Sequence, residues 1–479
     1  MANCAQCGRK LPALAFGKKI CEWCVRHEAA QRGEEPEDAV QPVMPVPWAA
    51  GSGSSAMMVT QALLLLNVGV FVVMAMQGIG LDPPTQALVD RGANYAPLTL
   101  GGQPWRLVTA LFLHGGFLHI AFNMWCLWDL GGLCESLYGH VTFAAVYLTS
   151  GIGSSLASVW WHPAIPSVGA SGAVFGIVGA LIASYYLGEF TMPRFAIQGH
   201  LRSLLVFVAY NVAIGQVVGR VDNAAHIGGL ITGLILGALI ALFAPQQDFF
   251  RRAAVILFVA LLVFGCGAWL RQTRSYLIHA RRGGELLEEN RASEAIPELE
   301  AAIRTHPDYV PAHFALANAY FNLKKYDLAE AELKRVLASH PEDEAAAYEL
   351  GIVFLKQKNI QAAKEVFTQL LQRNGNDGYA HLGLGMTLAA EQNHSRAVDE
   401  YKRAAQLEPD LESVYYRLGL SQMQLKNYDE AIAAFRQQRD AQGDDYDTEA
   451  ALALAYSAKG LQEEAKAASQ KAEQLKPKQ

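Results

Sequence analysis

Long apolar runs constrain the fold of this chain more than any other feature of its sequence. A helix that crosses a lipid bilayer needs roughly 20 mostly apolar residues, and seven runs between Met57 and Leu270 approach that length. They lie at about 57–77, 117–137, 141–161, 168–187, 203–219, 224–244 and 253–270. The fifth is the weakest because it contains Asn211 and Gln216. The sequence therefore predicts an all-α fold that includes a polytopic bundle of membrane helices.

Two glycine-rich stretches place polar side chains inside these apolar runs. The first, Gly169–Gly176, reads GASGAVFG and contains Ser171. The second, Ala225–Gly233, reads AHIGGLITG and contains His226. Polar and ionisable groups at membrane depth are costly, which makes them candidates for function. We interpret the serine as a nucleophile and the histidine as its general base.

Residues near the starts of the second, fourth and sixth runs share one membrane face, because these runs cross the bilayer in the same direction. His119 and Asn123 lie in the first turns of the second run, Ser171 near the start of the fourth, and His226 near the start of the sixth. A site at this shallow depth can receive water, which hydrolysis requires. Small residues along the fourth and sixth runs predict that these two helices approach closely: Gly172, Gly176, Gly179, Gly229, Gly233 and Gly237.

Together with further features, these residues resemble the rhomboid family of intramembrane serine proteases. The further features are Trp105-Arg106 in the first loop, His114 ahead of His119 and Asn123, and Glu135 with Tyr138 and Gly139. The resemblance covers roughly residues 57–244 and implies a six-helix core, to which the seventh run adds one span.

The resemblance implies a role for each matching residue. Ser171 would attack the scissile carbonyl, and His226 would take its proton and pass it to the leaving amine, so that a dyad replaces the triad of soluble enzymes. His119 and Asn123 match positions that stabilise the oxyanion together with the backbone N–H of Ser171. No cofactor is expected for catalysis.

Gly169 and Phe175 also match positions of the family site. Gly169 matches a position that lines the site, and Phe175 stands where some members carry a tyrosine stacked on the catalytic histidine. Phenylalanine keeps the ring face, so we expect activity to be retained. Asp222 lies one helical turn before His226. We interpret it as the N-cap of the sixth helix rather than as a third member of a triad.

Other interpretations of the membrane block stay open. Ser171, His226 and Asn123 can serve helix packing alone, and His114 can be structural. A catalytically inactive, rhomboid-like adaptor that presents the carboxyl-terminal repeats is the alternative function, although the presence of both Ser171 and His226 argues against it. A channel or transporter predicts charged residues deep within the runs, and few are present.

The amino-terminal head, residues 1–32, carries two Cys-x-x-Cys pairs, Cys4 with Cys7 and Cys21 with Cys24. Four thiolates from two such pairs can hold one zinc ion tetrahedrally, so the sequence predicts a structural zinc ribbon. Two disulfides in an oxidising compartment are the alternative. Residues 33–56 are first acidic, then proline-spaced, then rich in Gly and Ser, which predicts a flexible linker.

After the extra span and connector at 245–276, residues 277–479 repeat with a period of 34. Three series keep this spacing: Ala295, Ala329, Ala363, Ala397, Ala431 and Ala465; Ala317, Gly351, Gly385, Gly419 and Ala453; and Pro307, Pro341, Gly375, Pro409, Gly443 and Pro477. The pattern resembles tetratricopeptide (TPR) repeats, whose helical hairpins stack into a curved solenoid that binds peptides or partner proteins. Seven aromatic residues are expected to pack this solenoid: Tyr320, Tyr326, Phe354, Phe367, Tyr401, Tyr428 and Phe435.

Charge and hydropathy also predict where the protein resides. The net charge of −6 gives no sign of a nucleic-acid partner, and the head has no early apolar stretch that would form a cleavable signal peptide. Lys and Arg in the head favour a cytosolic amino terminus, and the family usually places its site near the outer face. We therefore expect a multi-pass protein of a bacterial plasma membrane that acts on transmembrane substrates, with its repeats outside the cytosol.

Overall fold

A computed structural model describes residues 4–6, 20, 24, 57–190, 194–218, 221–244 and 248–476. The chain forms two compact units, Met1–Ile278 and His279–Gln479. All regular structure in the described ranges is helical, apart from one isolated antiparallel bridge between Asn94 and Ser167. The predicted zinc ribbon and the linker at 33–56 fall almost wholly outside the described residues.

The membrane unit contains eleven described helices, three of which continue into a 3₁₀ or π turn. They are α1 (Met58–Met74, with the π turn Ala75–Ile79), α2 (Thr85–Asp90), α3 (Ala96–Leu100), α4 (Arg106–Thr109, with the 3₁₀ turn Ala110–Phe112), α5 (Phe117–Cys126, with the π turn Leu127–Gly131), α6 (Gly132–Tyr138), α7 (His140–Trp161), α8 (Ser171–Leu187), α9 (Arg194–Val218), α10 (Asn223–Phe243) and α11 (Phe249–Thr273).

The lengths of these helices modify the prediction of seven spans. Within the described residues, five helices are long and apolar enough to cross a membrane, and the segments Arg106–Phe112 and Phe117–Tyr138 add a sixth candidate that is bent by 93°. The fourth predicted run becomes α8, which has 17 residues and begins at Ser171 rather than at 168. The reason is local: Gly169 has a φ of +125°, which a right-handed helix does not contain.

Helix α8 lies at the centre of the membrane unit and packs against α7 and α10. Most of its residues are buried. A Cβ on Gly229 of α10 would overlap the carbonyl oxygen of Gly172 of α8. A Cβ on Gly233 would likewise overlap the carbonyl oxygen of Gly176. The backbones of α8 and α10 therefore touch over successive turns, as the glycine spacing predicted.

Two buried acidic side chains fasten peripheral helices to this centre. Glu135 of α6 accepts hydrogen bonds from the backbone N–H groups of Val59 and Thr60 at 2.9 and 2.8 Å, and so places an anion at the amino terminus of α1. Glu189, just after α8, accepts from Arg252 of α11 over 2.8 Å. Both partners of this ion pair are buried, so the pair fixes the extra helix to the core.

The repeat unit consists of helical hairpins. Its helices are α12 (Ser275–Glu288), α13 (Ala292–Thr305), α14 (Val310–Asn322), α15 (Tyr326–Ser339), α16 (Glu344–Lys356), α17 (Ile360–Arg373), α18 (Gly378–Ala390), α19 (His394–Leu407), α20 (Val414–Gln424), α21 (Tyr428–Gln442), α22 (Tyr446–Lys459) and α23 (Gln462–Leu475). The prolines and glycines of the third series lie between hairpins, except Pro477, which is outside the described residues.

Aromatic rings of the second helices pack onto the small residues of the first helices. A Cβ at Gly385 would lie 2.6 Å from the ring of Tyr401, and Gly351 and Gly419 face Phe367 and Phe435 in the same way. The six alanines of the first series are all buried. Of the seven aromatic residues expected in the core, Phe354, Phe367, Tyr401 and Phe435 are buried, whereas Tyr320, Tyr326 and Tyr428 are half-buried.

The turn inside each hairpin contains one residue in the left-handed region. These residues recur every 34 positions: Asn290, Lys324, Lys358, Gln392, Lys426 and Gly460. Only the last is glycine, so five non-glycine residues have φ values between 59° and 64°. A side chain in this conformation costs roughly 1–2 kcal/mol relative to the right-handed region.

Replacing Lys358 by glycine should therefore stabilise the repeat unit. Relief of the left-handed strain outweighs the greater freedom that glycine has in the unfolded chain, so Lys358→Gly should raise the free energy of unfolding by up to about 1 kcal/mol. Lys356→Gly, in the last turn of α16, is the matched control and should lower it by about 1 kcal/mol. Urea unfolding of the full-length protein, followed by circular dichroism, measures both. A loss of stability in Lys358→Gly would contradict the strain argument.

Candidate active site

The hydroxyl of Ser171 and the imidazole of His226 meet at one end of the membrane unit. Ser171 is the first residue of α8, and His226 lies in the first turn of α10. The distance between Ser171 Oγ and His226 Nε2 is 2.9 Å, which is a hydrogen bond. The two residues are 55 positions apart in the chain. Their contact follows from the close approach of the two helices.

The ring of Phe175 fixes the plane of the His226 imidazole. The two rings are stacked, with centroids 4.3 Å apart and planes inclined by 7°. Phe175 also contacts Phe207 of α9, at a centroid distance of 5.5 Å. His226 is 6% exposed, and no described atom forms a hydrogen bond with its Nδ1. The imidazole is thus oriented by packing on one side and by Ser171 at Nε2.

His119 has a hydrogen-bond donor, its Nε2–H, close to Gly169 and Ser171. The backbone N–H of Gly115 donates to His119 Nδ1 over 3.2 Å, so a neutral ring carries its proton on Nε2. A Cβ on Gly169 would lie 2.9 Å from His119 Nε2 and 3.8 Å from Ser171 Oγ. Gly169 therefore keeps the space between the two residues open, and its positive φ also favours glycine.

The structure uses Asn123 and His114 differently. Asn123 is buried, and its side-chain amide donates to the carbonyl oxygen of His119 over 2.8 Å. This bond stays within α5 and joins Asn123 to His119 rather than to Ser171. His114 is also buried and contacts the His119 ring edge-on, with centroids 5.2 Å apart. This ring contact helps to hold the His119 imidazole in place.

The amino terminus of α8 adds backbone donors to the site. The N–H groups of Ser171, Gly172 and Ala173 precede the first backbone hydrogen bond of the helix, which Val174 donates to Ala170. Such groups have no partner within the helix and carry its partial positive charge. They lie beside the Ser171 hydroxyl by chain connectivity, where they can donate to a negatively charged group.

Sequence reasoning did not identify the contribution of α7 to this end of the unit. The hydroxyl of Ser158 donates to Asp222 Oδ2 over 2.5 Å, and Asp222 caps α10 by accepting from the N–H of Ala225 over 3.0 Å. Several serines lie in α7, and Ser150, Ser154 and Ser158 are all buried. Hydroxyls within a membrane helix form interhelical contacts, so the serines of α7 were the feature of the sequence that could have predicted this contact.

The four predicted zinc ligands are only partly described. The Sγ atoms of Cys4 and Cys24 lie 3.8 Å apart, and both side chains are buried. Cys7 and Cys21 lie outside the described residues. Among the residues that the structure does describe, no cluster of three or more His, Cys, Asp or Glu side chains is arranged to bind a metal.

Family models match most of the two units. The Rhomboid domain model matches residues 101–243. The model of the C-terminal ARM domain of tetratricopeptide repeat protein 21 matches residues 272–438, and a tetratricopeptide repeat model matches residues 450–479. These matches confirm the rhomboid-like region and the TPR repeats that the sequence predicted.

Individual relatives agree with these models. Rhomboid protease GluP of Bacillus subtilis (strain 168) is 35% identical over 206 residues, which are 43% of this chain and 39% of the relative. RHOMBOID-like protein 6, mitochondrial, of Arabidopsis thaliana is 39% identical over 168 residues, 35% of this chain and 53% of the relative. The chain thus spans about half or less of the length of these two.

A third relative is matched over most of its length. Rhomboid protease AarA of Providencia stuartii is 30% identical over 249 residues, which are 47% of this chain and 88% of the relative. With this coverage, and with the Rhomboid domain model matching residues 101–243, the chain belongs to the rhomboid family.

Proposed function

We propose that this protein is an intramembrane serine endopeptidase that uses Ser171 and His226 as a catalytic dyad. The observation that carries the proposal is the 2.9 Å hydrogen bond between Ser171 Oγ and His226 Nε2. A serine hydroxyl is a weak nucleophile unless an adjacent base accepts its proton, and this distance is within the reach of such a transfer.

The reaction has two halves. Ser171 Oγ attacks the carbonyl carbon of the scissile peptide bond while its proton passes to His226 Nε2. The imidazolium then gives that proton to the leaving amine, the carbon–nitrogen bond breaks and an acyl-enzyme remains. In the second half, water loses a proton to His226 and attacks the acyl carbon, and the proton returns to Ser171 as the product acid leaves.

Negative charge on the carbonyl oxygen would be stabilised by His119 Nε2–H and by the backbone N–H of Ser171. The hydrogen bond from Gly115 to His119 Nδ1 leaves the Nε2 proton available as a donor, and the helix end at Ser171 adds the second. Asn123 is the third proposed donor, through the amide hydrogen that it does not use toward His119. Each such donor is worth about 10²–10³ in rate.

The position of the dyad at the helix starts supports membrane-anchored proteins as substrates. Ser171 is the first residue of α8 and His226 is in the first turn of α10, so a membrane that covers these helices places the site near one of its surfaces. A substrate helix would then be cut near its end, where its backbone unwinds most readily and water is close at hand.

Labelling with a fluorescent fluorophosphonate tests the dyad. Full-length protein in lipid should be labelled, whereas Ser171→Ala and His226→Ala should not be, because the first lacks the attacking oxygen and the second its base. His119→Ala should slow labelling by about 10²-fold. Ser136→Ala, whose exposed hydroxyl donates only to Leu133 O, is the control and should be labelled normally. A folded wild-type protein that is not labelled would instead support the inactive adaptor.

We further propose that the repeats bind an extended segment of a partner protein along their first helices. These helices pack on one another between repeats, α16 on α18, α18 on α20 and α20 on α22, and form a continuous layer. A row of apolar side chains crosses this layer at the same register: Ile352, Met386, Leu420 and Leu454. Arg417 of α20 donates to Ser413 Oγ and forms no ion pair with a described carboxylate, so it can receive an acidic group of the segment.

The last membrane helix, α11, ends on the same side of the membrane unit as the dyad. The carboxyl end of α11 lies at the carboxyl end of α7, because Arg274 donates to the carbonyl oxygen of Trp160 over 2.9 Å. The same end of α7 touches Asp222, one turn from His226. Trp160 and Trp161 are exposed there, as expected at a membrane surface. A cytosolic amino terminus in a bacterial plasma membrane would put the dyad and the repeats outside.

Photo-cross-linking tests both parts of this proposal. A photoreactive amino acid at Leu420 in α20 should cross-link to a protein in intact cells, whereas the same amino acid at Leu328 in α15, which is similarly exposed, should not. The cross-linked product should be degraded by a protease added to spheroplasts. Equal cross-linking at both positions would contradict binding by the first helices, and a protected product would contradict the extracytoplasmic placement.

We also propose that the amino-terminal cysteines hold one structural zinc ion. Tetrahedral zinc with Zn–S bonds of about 2.3 Å separates its sulfur ligands by about 3.8 Å, and the Sγ atoms of Cys4 and Cys24 are 3.8 Å apart. A disulfide needs about 2.05 Å. With Cys7 and Cys21 as the other two ligands, the ion would cross-link the small head.

Metal analysis tests the zinc proposal. Purified full-length protein should contain one zinc per chain, and Cys4→Ser or Cys24→Ser should reduce that content strongly, because three ligands bind zinc less tightly than four. Cys266→Ser, an exposed cysteine in α11, should leave it unchanged. A metal-free protein whose mass shows two disulfides would favour the alternative.

A further inference from the structure

Asp222 occupies a position from which it can control His226 without touching its ring. It precedes α10, and its Oδ1 accepts a hydrogen bond from the N–H of Ala225 over 3.0 Å. Its backbone carbonyl accepts from the N–H of His226 over 3.1 Å. Asp222 therefore stabilises the first turn of α10, which contains the proposed base, through two hydrogen bonds.

Helix α7 holds the same carboxylate from the other side. Ser158 donates its hydroxyl to Asp222 Oδ2 over 2.5 Å. His162, just after α7, faces Asp222 Oδ1 with its Nδ1 at 3.7 Å. With Ala225 and Ser158 bound, both carboxylate oxygens are engaged, so the side chain has one orientation. Asp222 thus joins the end of α7 to the start of α10.

A negative charge near His226 would stabilise the positive imidazolium that the proposed reaction forms. His226 becomes an imidazolium when it takes the Ser171 proton, yet no described acceptor binds its Nδ1. Asp222, one helical turn before His226, supplies a carboxylate, whereas His119 beside Gly169 can only be neutral or positive. Of these two, only the carboxylate favours a positive imidazole. A charge one helical turn away can do this through space.

We infer that Asp222 is a positioning residue for His226: it orients the first turn of α10 and stabilises the imidazolium from outside hydrogen-bonding distance. This inference rests on the proposed function. It differs from a triad, in which the carboxylate binds the second ring nitrogen directly. It also goes beyond a helix cap, because a cap requires an oxygen acceptor and not a negative charge.

The substitution Asp222→Asn separates charge from capping. Its amide oxygen can still accept from Ala225, and its amide nitrogen can donate to the Ser158 hydroxyl, so the two structural bonds are kept while the charge is lost. Asp248 offers a matched control, because it caps α11 in the same manner by accepting from Arg251 N over 3.1 Å. His162→Gln in a parallel variant removes the other titratable group that faces Asp222.

The experiment measures the rate of fluorophosphonate labelling of Ser171 in full-length protein across a pH series, together with thermal unfolding. Asp222→Asn should unfold like wild type and label roughly tenfold more slowly near neutral pH. The acidic limb of its profile should move to lower pH, because without the carboxylate the imidazole is protonated less readily. The same movement should appear in the His162→Gln background, and Asp248→Asn should match wild type in both readouts.

Two results would overturn the inference while leaving the dyad intact. If Asp222→Asn labels at the wild-type rate with an unchanged profile, Asp222 is a helix cap alone. If the rate falls but the acidic limb stays in place, the loss comes from displaced structure and not from charge. Absence of Ser171-dependent labelling in the wild type would instead overturn the proposed function itself. His226 would then not be a catalytic base, and Asp222 would have no base to position.

Discussion

The direct contact between the backbones of α8 and α10 is the constraint on which the rest of the membrane unit depends. Packed helices ordinarily lie 8–10 Å apart, and side chains fill the space between them. Here Gly229 and Gly233 leave no side chain against the carbonyls of Gly172 and Gly176. The short serine side chain and the imidazole can then meet at 2.9 Å. A larger residue at either glycine would separate the helices and the two groups together.

Polar contacts at the two ends of the unit attach the neighbouring helices α7 and α11 to this central pair. At the dyad end, Asp222 connects α7 to α10. Away from it, Glu189 after α8 binds Arg252 at the start of α11. Buried charges are costly unless they are paired, so the buried Glu189–Arg252 pair strongly favours a single arrangement of α8 and α11. The close packing of α8 against α10 and the polar contacts at the two ends of the unit reinforce each other.

Much of this organisation was visible in the sequence, because several of its patterns are periodic. Apolar runs located most of the long helices to within a few residues, although the helix of the fifth run begins at Arg194, nine residues before the predicted start at 203. The 34-residue period located the repeat hairpins together with their buried alanines and facing aromatics. Ser171 and His226 stood out as polar residues in apolar surroundings. The late start of α8 was not predicted from the sequence, because it is set by the positive φ of Gly169. The buried role of Arg252 was hidden as well, since a cation at a helix end reads as a loop charge.

The sequence by itself determined which segments are helical, which of their faces carry small residues and which side chains have the chemistry of a nucleophile and a base. These properties are local, and residue type and spacing encode them. Only the tertiary structure decided that His226 Nε2 reaches Ser171 Oγ, that Gly115 fixes the proton of His119 on the ring nitrogen near Gly169, and that Asp222 serves two helices at once. The Gly115 bond spans only four positions, but the approach of His119 to Gly169, the Ser171–His226 contact and the double role of Asp222 all depend on distances between helices. Those distances are set by the packing of the whole bundle and by no single stretch of the chain.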